Sequence, residues 1–339
     1  MGLKLVRTNI LTGGASRGAP LTTRNAVRMS NGAGERQHPS KIKLLLANPR
    51  GFCVGVKRAI EILNNLIKEY PHQTIYCYHQ IVHNTHVVKD FEIKGVKFVK
   101  NIDEVPQGSI LVFSSHGVSP EIKLQSSNLK LHTIDATCPY VTKTHLEIKK
   151  YALSNIKIIY IGQPGHDEAI GATGEAPDST IIISSITDIP SLPYHPNDQV
   201  ALITQTTLSL DETEKIKQAL RKKFSNLTEP IKVDICRATE NRQNGVKQIV
   251  KMGAKIVIVL GSKNSSNSNK LKTVAEKAGA KAFLLDDILE IDPKILENID
   301  CVGLTAGASL PEYKINEAID WFKNHGIKNM EEVIATKEP

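Results

Sequence analysis

No apolar run in the sequence approaches the roughly 20 residues that a membrane-crossing helix needs, so no membrane partner is expected. Aromatic residues make up 5% of the chain, with one Trp, and no basic stripe carries interleaved aromatics, so nucleic acid is not indicated either. Neither a GxxxxGK[ST] loop nor a strand–GxGxxG–helix occurs, which removes the signatures of nucleotide triphosphatases and nicotinamide enzymes. Cysteine is scarce as well. Five cysteines in 339 residues, without a secretory signal or a tight C-x-x-C knuckle, argue against a disulfide scaffold and leave chemistry or packing as their purpose.

What is present begins with charge. The formal net charge is +8, but Lys4, Arg7, Arg17, Arg24, Arg28 and Arg36 face only Glu35 within residues 1–40, so +5 belongs to that segment and +3 to the rest. An excess of +3 over a chain this long is ordinary. Residues 1–40 are rich in Gly, Ser, Thr, Asn and Arg, as an organellar transit peptide is, yet show no convincing amphipathic helix. A disordered bacterial extension, a start at Met29 or an added segment would have the same composition. The expected location is the bacterial cytoplasm, or a plastid-type organelle if 1–40 is a transit peptide.

From residue 41 onward, short β-branched runs alternate with amphipathic helical stretches, the pattern of an α/β fold with parallel sheets. Runs such as Ile256–Leu260, apolar throughout, fit strands covered on both faces. Three segments share one context: an apolar strand, a cysteine, then a helix, around Cys53, Cys138 and Cys236. Three related small α/β units are therefore expected over 41–138, 139–230 and 231–325, between a leader over 1–40 and a tail over 326–339. Each unit would deliver one thiol to a shared centre.

A cysteine at a helix N-terminus has its thiolate favoured by the helix dipole and free amides. Three such thiols suggest a metal, and two identities stay open: zinc held by three cysteines and a water, or an iron–sulfur cluster with one iron lacking a protein ligand. Cys77 and Cys301 precede no helix and read as packing residues. Polar turns follow other strands at Gln205-Thr206-Thr207, Gly261–Asn269 and Thr305–Ser309, where backbone amides and hydroxyls can gather on an anion. Each alone reads as a capped turn, and the three beside a metal site favour a phosphorylated ligand. Three histidines stand out, His83 in HQIVHN, His116 in SSHGVS and His166 in GHDE; the last two lie in Gly-containing turns at strand ends, where imidazolium donors would neutralise a diphosphate, and Glu168 is placed to supply a proton. His72, His132 and His195 have no such setting.

The segments GFCVGV, HQIVHN, SSHGVS, DATCP, GHDE, TQTTLS, DICRAT, GSKNSSNSN and TAGAS, in this order, closely resemble the LytB family of reductases acting on 4-hydroxy-3-methylbut-2-enyl diphosphate. The family carries out the last step of the methylerythritol phosphate route to isoprenoids. The resemblance implies three α/β units around a central [4Fe–4S] cluster held by Cys53, Cys138 and Cys236, with one iron open to substrate. It implies reductive dehydroxylation to isopentenyl and dimethylallyl diphosphates, with electrons from a donor such as ferredoxin or flavodoxin. It further implies that His83, His116, His166, Thr206, Ser265, Ser266, Asn267 and Ser309 bind substrate, and that Glu168 and Thr206 are catalytic. The chain departs from the family in reading Asp167 where proline is usual, and in carrying Arg237 after Cys236. Two other readings of a three-cysteine site remain: an iron–sulfur hydratase, which needs no reductant, and a zinc-stabilised phosphometabolite-binding protein.

Overall fold

A computed structural model describes residues 41–230 and 234–336, so the reading of 1–40 as a leader or targeting segment lies outside the described residues. The chain opens with β1 (Lys43–Asn48) and α1 (Val54–Glu69). A four-strand motif follows: β2 (Ile75–Tyr78), α2 (Thr85–Ile93), β3 (Lys97–Val99), β4 (Ile110–Phe113), α3 (Pro120–Asn128), β5 (His132–Asp135) and α4 (Pro139–Leu153). It is repeated by β6 (Lys157–Ile161), α5 (Asp167–Thr173), β7 (Thr180–Ile183), β8 (Gln199–Thr204), α6 (Leu210–Lys223), β9 (Asn226–Thr228) and α7 (Arg237–Lys251). The last stretch is β10 (Ile256–Leu260), α8 (Ser266–Lys277), β11 (Lys281–Leu285), β12 (Cys301–Ala306), α9 (Glu312–Asn324) and β13 (Asn329–Ile334).

These strands build three wholly parallel sheets, ordered β3-β2-β4-β5, β7-β6-β8-β9 and β11-β10-β12-β1-β13. Each sheet has the same internal order, second strand, first, third, fourth. In the last sheet the fourth position is filled by β1, from the opposite end of the chain. The expected boundaries are corrected accordingly. The first strand of the expected 41–138 unit belongs to the sheet of the expected 231–325 unit, and the expected 326–339 tail contributes the edge strand β13. The physical reason is burial: Leu44, Leu45, Leu46 and Ala47 are all buried, so β1 needs a position inside a sheet, and it has one between β12 and β13. The strand expected at 231–235 falls partly outside the described residues, and the edge strand β9 lies a few residues earlier.

The cores show why the cysteines converge. Helix α1 leaves the sheet of β1 and packs Val56, Ala59, Leu63 and Leu66 on the sheet of β2 and β4. Helix α4 leaves that sheet and lays Ile148 against Ile158, Tyr160 and Ala201 of the next. Helix α7 in turn packs Val246 and Ile249 against Leu45 and Val257. Every crossover from one sheet to the next therefore begins at one of the three cysteines. Among the described residues, no helix is long and apolar enough to cross a membrane.

Candidate active site

Cys53, Cys138 and Cys236 occupy the N-cap positions of α1, α4 and α7. The backbone N–H of each donates to the loop after the third strand of the sheet that the chain is leaving: Cys53 to Ala308 O at 3.1 Å, Cys138 to Ser115 O at 3.0 Å and Cys236 to Thr206 O at 3.1 Å. One tie, used three times, fixes each thiol beside the turn that carries Ser309, His116 or Thr206. The Cys53 thiol accepts from Val56 N at 3.5 Å, and the Cys236 thiol lies 3.2 Å from Thr239 Oγ1. Gly55 leaves room for the sulfurs: a Cβ there would stand 2.7 Å from Cys138 Sγ and 3.9 Å from Cys53 Sγ. Burial raises the Cys138 thiol to about 11 and pushes Cys236 up as well, the neighbouring thiols adding to both. Thiols that burial keeps protonated, as it does Cys138 and Cys236, need a cationic partner to become ligands, as a metal or cluster provides.

All twelve residues singled out in the sequence line one cavity: the three cysteines, His83, His116, His166, Glu168, Thr206, Ser265, Ser266, Asn267 and Ser309. The repeat explains their meeting. His83, His166 and the Ser265–Asn267 turn each follow the first strand of a sheet, and His116, Thr206 and Ser309 each follow the third. The carboxyl ends of three parallel sheets thus face one centre. Cys77 and Cys301 lie instead in β2 and β12, buried, and His72, His132 and His195 are exposed.

The rings of His83 and His116 stack at 3.9 Å, and His166 meets them edge-on at 4.9 and 5.9 Å. Burial lowers all three, His166 to about 4 and His116 well below its usual value; repulsion by neighbouring histidines adds to this, from His83 on both His116 and His166 and from His79 on His83. Neither ring nitrogen of His83 nor the Ser266 hydroxyl, all buried, makes a hydrogen bond among the described residues, and His83 Nε2 has only Asp167 Oδ2 near it, at 3.7 Å. Polar atoms in that state at a cavity wall fit a ligand that supplies acceptors. Ser309 Oγ donates to His83 O at 2.9 Å, and Asn267 accepts from Ala308 N at 3.0 Å while donating to Thr239 Oγ1 at 3.4 Å.

Glu168 is 2% exposed. Thr206 N donates to its Oε1 at 2.7 Å and Thr206 Oγ1 to its Oε2 at 2.9 Å. Burial raises Glu168 to about 7 despite those two bonds, and Asp234 adds to the rise. A carboxyl with that value holds and releases protons near neutrality.

Several contributors were not read from the sequence. Thr239, which touches both Cys236 and Asn267, had a signal in its position one helical turn after Cys236. Asp234 accepts from Thr204 N at 3.0 Å and from Lys143 Nζ at 2.6 Å, tying β8 to α4 in a way that spacing does not reveal. His79 and Asp167 bond to each other at 2.7 Å across 88 residues of sequence.

A family profile described as LytB protein matches residues 44–323. The 4-hydroxy-3-methylbut-2-enyl diphosphate reductase of Rhodopirellula baltica is 46% identical over 284 residues, spanning 84% of this chain and 88% of that one. The protein of the same name from Acidothermus cellulolyticus is 44% identical over 299 residues, 88% of this chain and 87% of its own. Among solved structures, the E-1-hydroxy-2-methyl-but-2-enyl-4-diphosphate reductase of Plasmodium falciparum superposes with a TM-score of 0.85 at 37% identity, covering 89% of this chain and 94% of that one. A second structure, titled as the terminal enzyme of the non-mevalonate pathway, gives 0.60 at 26% identity, covering 84% and 99%.

Proposed function

This chain belongs to the LytB protein family, and from that premise we propose how its cavity serves the family's reaction. The chain is an oxidoreductase of isoprenoid synthesis. It removes the hydroxyl of 4-hydroxy-3-methylbut-2-enyl diphosphate with two electrons and two protons, giving water and isopentenyl or dimethylallyl diphosphate. The observation that carries this reading is the meeting, in one cavity, of three helix-capping thiols with a histidine, serine and asparagine cage and a buried carboxyl poised near neutrality.

Cys53, Cys138 and Cys236 would hold a [4Fe–4S] cluster; the donor set fits, because it offers three soft thiolates, a glycine-lined gap and no fourth cysteine. Bound there, the cluster supplies electrons one at a time and an iron with a free coordination position. The protein's own part is binding and proton delivery. His83, His116, His166, Ser265, Ser266, Asn267 and Ser309 would clamp the diphosphate and so fix the allylic carbon. Protonated at Oε2, Glu168 would reverse the 2.9 Å bond and donate to Thr206 Oγ1, whose own proton passes to the departing oxygen as Glu168 replaces it.

The electron donor would be a one-electron carrier such as ferredoxin or flavodoxin, docking where the cysteines approach the surface. The residues after them support this position: Val54 is 65% exposed, Tyr140 is 39% exposed and Arg237 is exposed. A surface groove flanking Cys138 is lined by Arg58, Lys150, Leu146 and a Lys143–Glu147 ion pair, and Arg58 and Lys150 there suit an acidic carrier. Action in the cytoplasm accords with the bacterial relatives.

The test is anaerobic reconstitution followed by assay with 4-hydroxy-3-methylbut-2-enyl diphosphate and a chemical reductant. Reductant-dependent loss of substrate with both alkenyl diphosphates as products is expected. Turnover without reductant would point to a hydratase, and a colourless protein carrying one zinc would remove the redox reading altogether.

A further inference from the structure

Behind the histidine cage, away from the cavity, lies a carboxylate that the mechanism above does not use. Asp167 opens α5 between His166 and Glu168, and its side chain is 19% exposed. Its Oδ1 accepts from His79 Nδ1 at 2.7 Å, while its Oδ2 stands 3.7 Å from His83 Nε2 and 4.0 Å from His116 Nδ1. His79 is held at its other end too, where Nε2 is 3.3 Å from Lys100 O. A neutral imidazole has one N–H, so it cannot donate to a carboxylate and a carbonyl together; the doubly protonated ring can. The contacts therefore describe an imidazolium–carboxylate pair. Its electrostatics agree: the hydrogen bond to Asp167 raises His79, and Asp167 stays below the usual carboxylate range, because its bond and charge contacts with the histidines outweigh burial.

We propose that Asp167 is a positioning residue for anion recognition, holding His79 as an imidazolium and giving His83 and His116 a carboxylate to face when a diphosphate draws protons onto them. The inference rests on the reading of the cavity as a diphosphate site. The physical need is plain. Three packed, buried imidazoles repel one another's charge, so they stay neutral until an anion arrives. A ring of His83 or His116 charged in this way then has Asp167 Oδ2 within 3.7 or 4.0 Å to offset its charge. Ser114 Oγ, 3.2 Å from His116 Nδ1, shares in this for His116. The other charged and titratable groups around the pair are few: Tyr78 stacks on His79 at 4.2 Å, Lys100 opposes its charge, Glu121 acts on Tyr78, and Glu168 is bonded away to Thr206.

The experiment is calorimetric titration of the cluster-loaded protein with inorganic diphosphate, in two buffers of different ionisation heat, from pH 5.5 to 8.5. The native protein should take up protons on binding at pH 7.5. Asp167→Asn should take up fewer and bind about tenfold more weakly there, a loss of one pKa unit on one histidine. Below pH 6, where the histidines protonate more readily, the variant should match or exceed the native protein, because a negative charge near the anion has gone. Asp167→Glu should restore uptake, and iron content should be equal in all three. A variant that binds more tightly at every pH, or whose proton uptake is unchanged, overturns the proposal. Failure of the native protein to bind diphosphate at all would instead strike the reading of the cavity.

Discussion

Glu168→Gln should make the protein more stable and nearly inactive, and the two effects share one cause. In the folded chain burial lifts the carboxyl from 4.5 to about 7. A displacement of that size corresponds to about 3 kcal/mol of disfavoured ionisation. The sign follows from linkage. Below pH 4.5 the group is protonated folded and unfolded, and it makes no difference. Between 4.5 and 7 the folded state keeps a proton that the unfolded state has lost, so the cost of burying the carboxyl grows with pH and is complete above about 7. Glutamine keeps the size and polarity and cannot ionise. Its melting temperature should therefore match that of the native protein near pH 4.5 and exceed it at pH 8. Turnover should fall by about a hundredfold or more, because the proton that passes to Thr206 Oγ1 has no source. Native turnover should itself decline as pH rises through the Glu168 value. Thermal unfolding at the two pH values, with steady-state assays at saturating substrate, measures both effects. Near-normal turnover in the variant would move the proton source elsewhere, with His166 first in line; an equal gain in melting temperature at both pH values would refute the electrostatic argument.

Serine at Cys53, Cys138 or Cys236 should abolish iron binding as judged by iron and sulfide content, while serine at Cys77 or Cys301, both inside strands, should leave it intact. Gly55→Ala should also lose cluster, since the new Cβ meets Cys138 Sγ at 2.7 Å and the helix backbone cannot withdraw; full iron content would show that the gap is not needed. Asn267→Ala should weaken substrate binding by roughly 1–3 kcal/mol, seen chiefly in KM with iron content retained, because the amide that orders Ala308 N and Thr239 disappears.

How far the sequence could be read depended on how local each signal is. A strand, a cysteine and a helix within a few residues are visible at once, and so are polar turns after apolar runs; most of the polar cavity residues belong to such signals, whereas Thr239, inside α7, does not. Strand partners are not local. Nothing in Lys43–Asn48 says that it joins β12 and β13 rather than β2, because an apolar run fits the inside of any parallel sheet. Asn329–Ile334 is polar enough to pass for a tail, and it becomes a strand only because the edge beside β1 accepts it. Asp167 was visible as an oddity in GHDE, but its partner His79 lies on another sheet. Ser209 with Glu212 reads as a capping box, yet Glu212 turns away to Lys270 and Lys277, ion pairs that tertiary packing alone supplies.

The borrowed strand also sets a timetable for the nascent chain. About 250 residues separate β1 from β12, its neighbour, and at roughly 5–20 residues per second the ribosome takes on the order of 10–50 seconds to deliver them. Through that interval the hydrophobic stretch Leu44–Ala47 has emerged without the strands that will flank it. The sheets of β2–β5 and β6–β9 can form as they are synthesised, whereas the third must wait for both ends. Its opening strand is thus the segment most in need of a chaperone during synthesis.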